Sequence, residues 1–145
     1  MVINRQHNVR VSVVRHARFL SRVRRELRLN GHEFSVCFVS DSEMARLNQR
    51  FRNKRGPTDV LSFPAGERSL TSFTSSTSFT SFLGDIAISP AAAQRNARRF
   101  SRTLDEELRI LILHGVLHLL GYDHKADNGE MERKELRLRR KLRLE

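Results

Sequence analysis

The chain has a single cysteine, Cys37, so no internal disulfide can form and a cross-linked scaffold is excluded. Set in an apolar stretch, Cys37 reads as a small core residue, and a lone thiol fits a reducing compartment. No apolar run approaches the roughly 20 residues that a helix needs to cross a bilayer. Met1-Val2-Ile3-Asn4-Arg5 lacks the apolar stretch of a secretory signal. A cytoplasmic protein without a membrane partner is therefore expected. No linker divides the 145 residues. That length falls within the modal domain size of about 100–150, so residues 1–145 read as one domain.

Acidic residues are outnumbered. Sixteen Asp and Glu stand against 27 Lys and Arg, giving a formal net charge of +11 and a pI near 11.4. Such an excess attracts polyanions, nucleic acid first among them, because each phosphate neutralised by a cation releases condensed counterion. The segment Arg133 to Leu144 concentrates this charge. Leu138 and Leu142 form an apolar stripe, flanked by Leu136 and Leu144, so the expectation is a docked terminal helix with a basic outer face that touches RNA.

Periodicity predicts alternating elements. Val2 to Gln6 reads as a short strand, and Val11 to Leu29 as a basic helix stopped by Asn30-Gly31. Glu33 to Val39 alternates with Phe34, Val36 and Phe38 on one side, the mark of a strand. Ser40 with Glu43 forms a capping box that opens a helix to about Arg50. A loop carrying Arg52, Lys54 and Arg55 follows, and beyond Pro57 a strand is expected from Asp59 to Phe63. Residues 69–82 are nearly all Ser, Thr and Phe, a low-complexity insert with no catalytic reading. Leu83 to Ser89 resumes as a strand, and Ser89-Pro90 starts a helix that runs to about Phe100. Asp85, in that strand, reads as structural rather than catalytic. Strands among helices imply an α+β fold, an α/β sandwich whose mixed sheet has about four strands.

The chemistry sits at the end of the next helix. Thr103 and Glu106 form a second capping box, and from Leu104 to Leu120 the apolar residues wrap nearly all round, so this helix is largely buried. His114 and His118 stand four apart and project from one face, where both rings reach one ion. Gly121 can take the left-handed conformation that ends a helix and brings His124 back as a third ligand. Three neutral imidazoles suit one zinc ion per chain and leave a fourth position open. The spacing is that of the metzincin His motif on a buried helix. Metzincins carry a glutamate base directly after the first histidine, whereas this chain has Gly115, which disfavours peptide hydrolysis. Asp123 reads either as a group that orients a ligand imidazole or as a turn residue.

Residues 114 to 124 also match throughout the pattern His-Gly-x-Leu-His-Leu-x-Gly-Tyr-Asp-His. With the blocks Leu47 to Arg52, Pro57 to Pro64 and Leu83 to Ile88, they make the chain resemble the YbeY-type metal-dependent endoribonucleases, which take part in ribosomal RNA maturation. That resemblance spans most of the chain, and the Ser/Thr/Phe insert departs from it. It implies that His114, His118 and His124 hold zinc and that Arg52 is the arginine required beside the metal. Arg52, His114 and His118 are then the catalytic residues.

The expected activity is zinc-dependent endonucleolytic cleavage of single-stranded RNA in ribosomal RNA maturation and ribosome quality control. Zinc would polarise the phosphate or supply hydroxide, while the Arg52 fork clamps the scissile phosphate. The partners implied are a ribosomal RNA precursor and ribosomal proteins or the small subunit, with no DNA. Two alternatives stay open: a ribosome-assembly factor that binds RNA and is stabilised by zinc without cutting, and a metal-dependent hydrolase of another substrate.

Overall fold

The computed structural model describes residues 1–65, 81–123 and 125–144. The elements run β1 (Val2–Asn4), α1 (Val13–Glu26), β2 (His32–Phe38), α2 (Asp41–Arg52), β3 (Val60–Pro64), β4 (Ser81–Ile88), α3 (Pro90–Arg99), α4 (Leu104–Leu119) and α5 (Glu130–Leu142). Among the described residues the strands form one four-stranded mixed sheet in the order β1-β2-β4-β3. β1 and β4 both pair parallel with β2, and β3 runs antiparallel to β4. The expected α+β architecture is therefore the observed one.

Strand alternation divides the interior into two layers. Phe34, Val36 and Phe38 of β2 and Ile86 and Ile88 of β4 join a core with α1, α4 and α5. Their neighbours Cys37 and Ala87 point the other way, onto Leu61, Phe63 and the α2 residue Met44. This two-sided burial explains why β2 and β4 lie centrally, since each needs apolar side chains on both faces.

Helix ends differ from the sequence expectations for local reasons. α1 starts after Ser12, whose hydroxyl accepts from the Arg15 amide at 3.1 Å. It stops at Glu26, short of Asn30-Gly31, because Arg28 takes a left-handed conformation (φ 54°). Amide bonds then run from Leu29 to the Arg24 carbonyl and from Arg28 to the Arg25 carbonyl, closing a Schellman motif. β1 ends at Asn4, and Gln6 is buried just beyond it, its side chain bonding Asn4 and Val9. α5 begins at Glu130, where the Asp127 carboxylate accepts from the Gly129 and Met131 amides. Residues 69–80 of the Ser/Thr/Phe stretch lie outside the described residues. Ser81 and Phe82, the last two of that stretch, already belong to β4, in register with His32 and Glu33.

Candidate metal centre and catalytic cleft

α4 is set up from its first turn. The Thr103 hydroxyl accepts from the Glu106 amide at 3.1 Å. Asp105, Glu106 and Glu107 place negative charge at the positive end of the helix dipole. The helix then runs through the core, with Leu108, Ile112, Leu113, Val116 and Leu117 fully buried. Full burial of each such side chain contributes about 1.5–3 kcal/mol, which holds the helix, and so its histidines, in one place.

Gly115 explains how α4 comes so close to the sheet. A β-carbon there would lie 2.8 Å from Ile86 Cγ2 and 3.0 Å from Cδ1. The position after the first histidine therefore faces β4, and a glutamate could not fit there. Gly121 ends the helix as expected, at φ 97°, with amide bonds from Gly121 to the His118 carbonyl and from Tyr122 to the Leu117 carbonyl.

His114 and His118 converge. Their Nε2 atoms are 3.1 Å apart and the rings meet edge to face with centroids at 4.6 Å. Two nitrogens bound at 2.0–2.1 Å to one tetrahedral ion stand about 3.3–3.4 Å apart, so the pair fits a zinc ion with a small ring rotation. His114 Nδ1 lies 2.7 Å from Glu135 Oε1 of α5, and Glu135 Oε2 accepts from Arg139 at 2.7 Å. Burial pushes the Glu135 carboxyl up, but the hydrogen bond and charge of His114, with those of Arg139, outweigh it and hold the group below its usual range. An ionised carboxylate only accepts, so a proton is assigned to Nδ1, and in the neutral imidazole that leaves Nε2 its lone pair for an ion. Among the described residues no group of three His, Cys, Asp or Glu side chains forms a metal cluster. His124, the expected third ligand, lies outside the described residues.

The second half of the cleft comes from α2 and β3. Arg52 is the last residue of α2 rather than part of the loop, because the helix continues two residues past Arg50 before Asn53 turns left-handed (φ 54°). The Arg52 guanidinium donates to the Ser62 and Phe51 carbonyls, and its Cζ sits 5.2 Å over the Phe63 ring. Ser62 donates its hydroxyl to the Gly115 carbonyl at 3.2 Å and so ties β3 to the histidine helix. The loop after α2 is fixed by buried Asn48, whose amide donates to the Gly56 carbonyl at 2.9 Å. Asp59 accepts from the Asn96 amide at 3.0 Å, anchoring the same loop to α3.

Arg52, His114 and His118 line one cleft of about 630 Å³, together with Lys54, Lys125 and Asp123. Asp123 accepts from the Lys125 amide at 3.0 Å, the geometry of its turn reading. Asp85 is buried and bonded by the Ser35 hydroxyl. Alternation along β4 puts it on the face opposite Ile86, away from the histidines. Glu135, Ser62 and Asn48 were not singled out in the sequence. Asn48 and Ser62 fall within the blocks that carry the family resemblance, and Glu135 interrupts the buried stripe of Met131, Leu138 and Leu142 with a charge.

Known proteins resemble this chain in sequence and fold. The family model described as "Endoribonuclease YbeY" matches residues 2–143. A protein of that name from Koribacter versatilis is 48% identical over 129 residues, which cover 87% of this chain and 74% of the relative. The one from Solibacter usitatus is 44% identical over 125 residues, covering 86% and 76%. The solution structure of a Thermotoga maritima protein is similar with a TM-score of 0.57 at 28% identity, over 98% of this chain and 89% of that one. A likeness that begins in β1, ends just past α5 and takes in every element lining the cleft makes this chain a member of the endoribonuclease YbeY family.

Proposed function

We propose that this protein is a zinc-dependent endoribonuclease that cuts single-stranded RNA in ribosomal RNA maturation and ribosome quality control in the cytoplasm, with ribosomal proteins or the small subunit as further partners. The observation that carries the reading is the cleft shared by converging His114 and His118 and the Arg52 guanidinium. His114 and His118 would hold the ion through Nε2, with His124 as the third ligand. Zinc, when bound, supplies Lewis acidity at the phosphate and at water.

The chain's own groups do the rest. Arg52, fixed by the Ser62 carbonyl and the Phe63 ring, directs a planar set of N–H donors at the non-bridging oxygens where negative charge grows. Lys54 and Lys125 add positive charge along the strand's path. Glu135 keeps the proton of His114 on Nδ1, so that Nε2 stays available. The contact between Gly115 and Ile86 weighs against peptide hydrolysis, since it leaves no space for a glutamate base after His114.

The test is incubation of the purified protein with a labelled ribosomal RNA precursor, with and without chelator and after zinc is restored. Cleavage that disappears with chelator and returns with zinc is expected, and a DNA strand of the same sequence should stay whole. RNA binding without cutting in any condition would overturn the nuclease reading and favour an assembly factor.

A further inference from the structure

α5 touches the cleft only indirectly, through the bond of Glu135 to His114. Met131, Leu138 and Leu142 are buried against the core and Glu135 meets His114, while Arg137, Arg140, Lys141 and Arg143 are exposed. The end of α5 meets the end of α1: Arg22 donates to the Leu142 carbonyl at 3.0 Å, and Lys141 Nζ lies 3.6 Å from Glu26. Arg18 and Arg25, a turn either side of Arg22, are exposed, as is Arg28. Among the described residues, Arg18, Arg25, Arg28, Arg137, Arg140 and Arg143 have no carboxylate within 4.0 Å.

Helix dipoles account for Arg25 and Arg140, which lie in the last turns of their helices, but not for the whole set. Dipole compensation fades beyond the last turn, and Arg18 and Arg137 stand outside the last turns of their helices. Solubility is served by cations anywhere on the surface and does not call for them at two joined helix ends. The backbone adds an independent observation. Arg28 (φ 54°) and Arg143 (φ 57°) follow the two helices in the left-handed conformation that glycine adopts without strain. Both helix ends thus keep a long cationic side chain where the main chain favours none.

We propose that the joined C-terminal ends of α1 and α5 form a second RNA-binding face, which grips the phosphodiester backbone of the substrate away from the scissile phosphate. This rests on the RNA reading of the cleft. From Glu135, the partner of the cleft residue His114, to Leu142 the helix advances about 10 Å at 1.5 Å per residue, a separation of a few nucleotides of extended single strand. A membrane is the poorer occupant, because a helix lying on lipid needs an exposed bulky apolar side. The leucines at 138, 142 and 144 are buried, and among the described residues of α5 Leu136 is the one large apolar side chain exposed.

The experiment uses the full chain with Arg25→Glu and Arg140→Glu combined, and the neutral pair Arg25→Gln and Arg140→Gln as a milder variant, each with its fold checked by circular dichroism. Binding of a long labelled single-stranded RNA is followed by anisotropy over a salt series. Loss of two phosphate contacts should lower the slope of log K against log salt by about 1.4. KM for the long RNA should rise, while kcat on an oligonucleotide only long enough to fill the cleft stays unchanged. An unchanged slope would overturn the proposal, as would unchanged RNA binding with lost binding to anionic phospholipid vesicles. A lowered slope in a protein that cuts no RNA would support this face while the nuclease reading fails.

Discussion

His114 donates from Nδ1 to Glu135 across the α4–α5 contact at 2.7 Å, so the terminal helix sets the orientation and tautomer of the first imidazole. Glu135→Gln keeps an acceptor but removes the charge that polarises the ring. Losing such a partner weakens metal affinity by about 10–100-fold, and that drop is expected here with the fold retained. Competition with a chromophoric zinc chelator measures it; wild-type affinity in the variant would detach Glu135 from the metal centre.

Arg52→Ala should leave folding and zinc content intact while RNA cleavage falls by about 10²–10³ or more, the scale of losing one donor to developing charge. Arg52→Lys should restore little, because an ammonium cannot present the planar fork. The check is single-turnover cleavage beside metal analysis. Unchanged cleavage in Arg52→Ala would remove this residue from the mechanism.

Gly115→Ala sets two effects against each other. Alanine favours a helix interior by about 1 kcal/mol, whereas forcing a methyl into a packed core costs about 1–3 kcal/mol. With the added carbon 2.8 Å from Ile86 Cγ2, crowding should win and the thermal midpoint should fall. In an Ile86→Ala background the same substitution should be neutral or stabilising, and additive effects in that cycle would contradict the contact.

Stability should weaken in mild acid partly through His16. This ring is fully buried, its Nδ1 bonds the Ser12 carbonyl at 2.8 Å and it meets the Phe38 ring edge to face. Burial, the largest influence, lowers its pKa below 6.5, although the Ser12 bond and nearby Asp105 pull the other way. The unfolded chain therefore takes up the proton first. The stability is present above about pH 6.5 and is lost as pH falls from there toward the lowered folded value. Urea midpoints across pH should fall less steeply in His16→Phe; an equal slope would assign the loss to other groups.

Local signals carried much of the structure. Ser40 and Thr103 cap α2 and α4, accepting from Glu43 and Glu106 as their spacing implied, and Gly121 stops α4 in the left-handed conformation. The four-apart histidines share a face because the helix repeat dictates it. Arg52 was legible as a site residue only through family likeness, and its place at the helix end depends on Asn53 turning left-handed. The strand order was beyond reach, because it depends on which distant strands share two buried faces. Glu135 was hidden for a similar reason: its partner lies on another helix, and sequence shows only a charge amid a leucine stripe.

The pairing of β2 with β4 has a kinetic side. α2, β3 and residues 66–80 separate the two strands in sequence, so their parallel ladder closes a long loop before it gains any stabilising contact. Arg52 reaches its place through β3, and β3 through β4. Arg52 and the imidazoles therefore face each other only where β3 is paired with β4 and α4 lies against Ile86 of that strand.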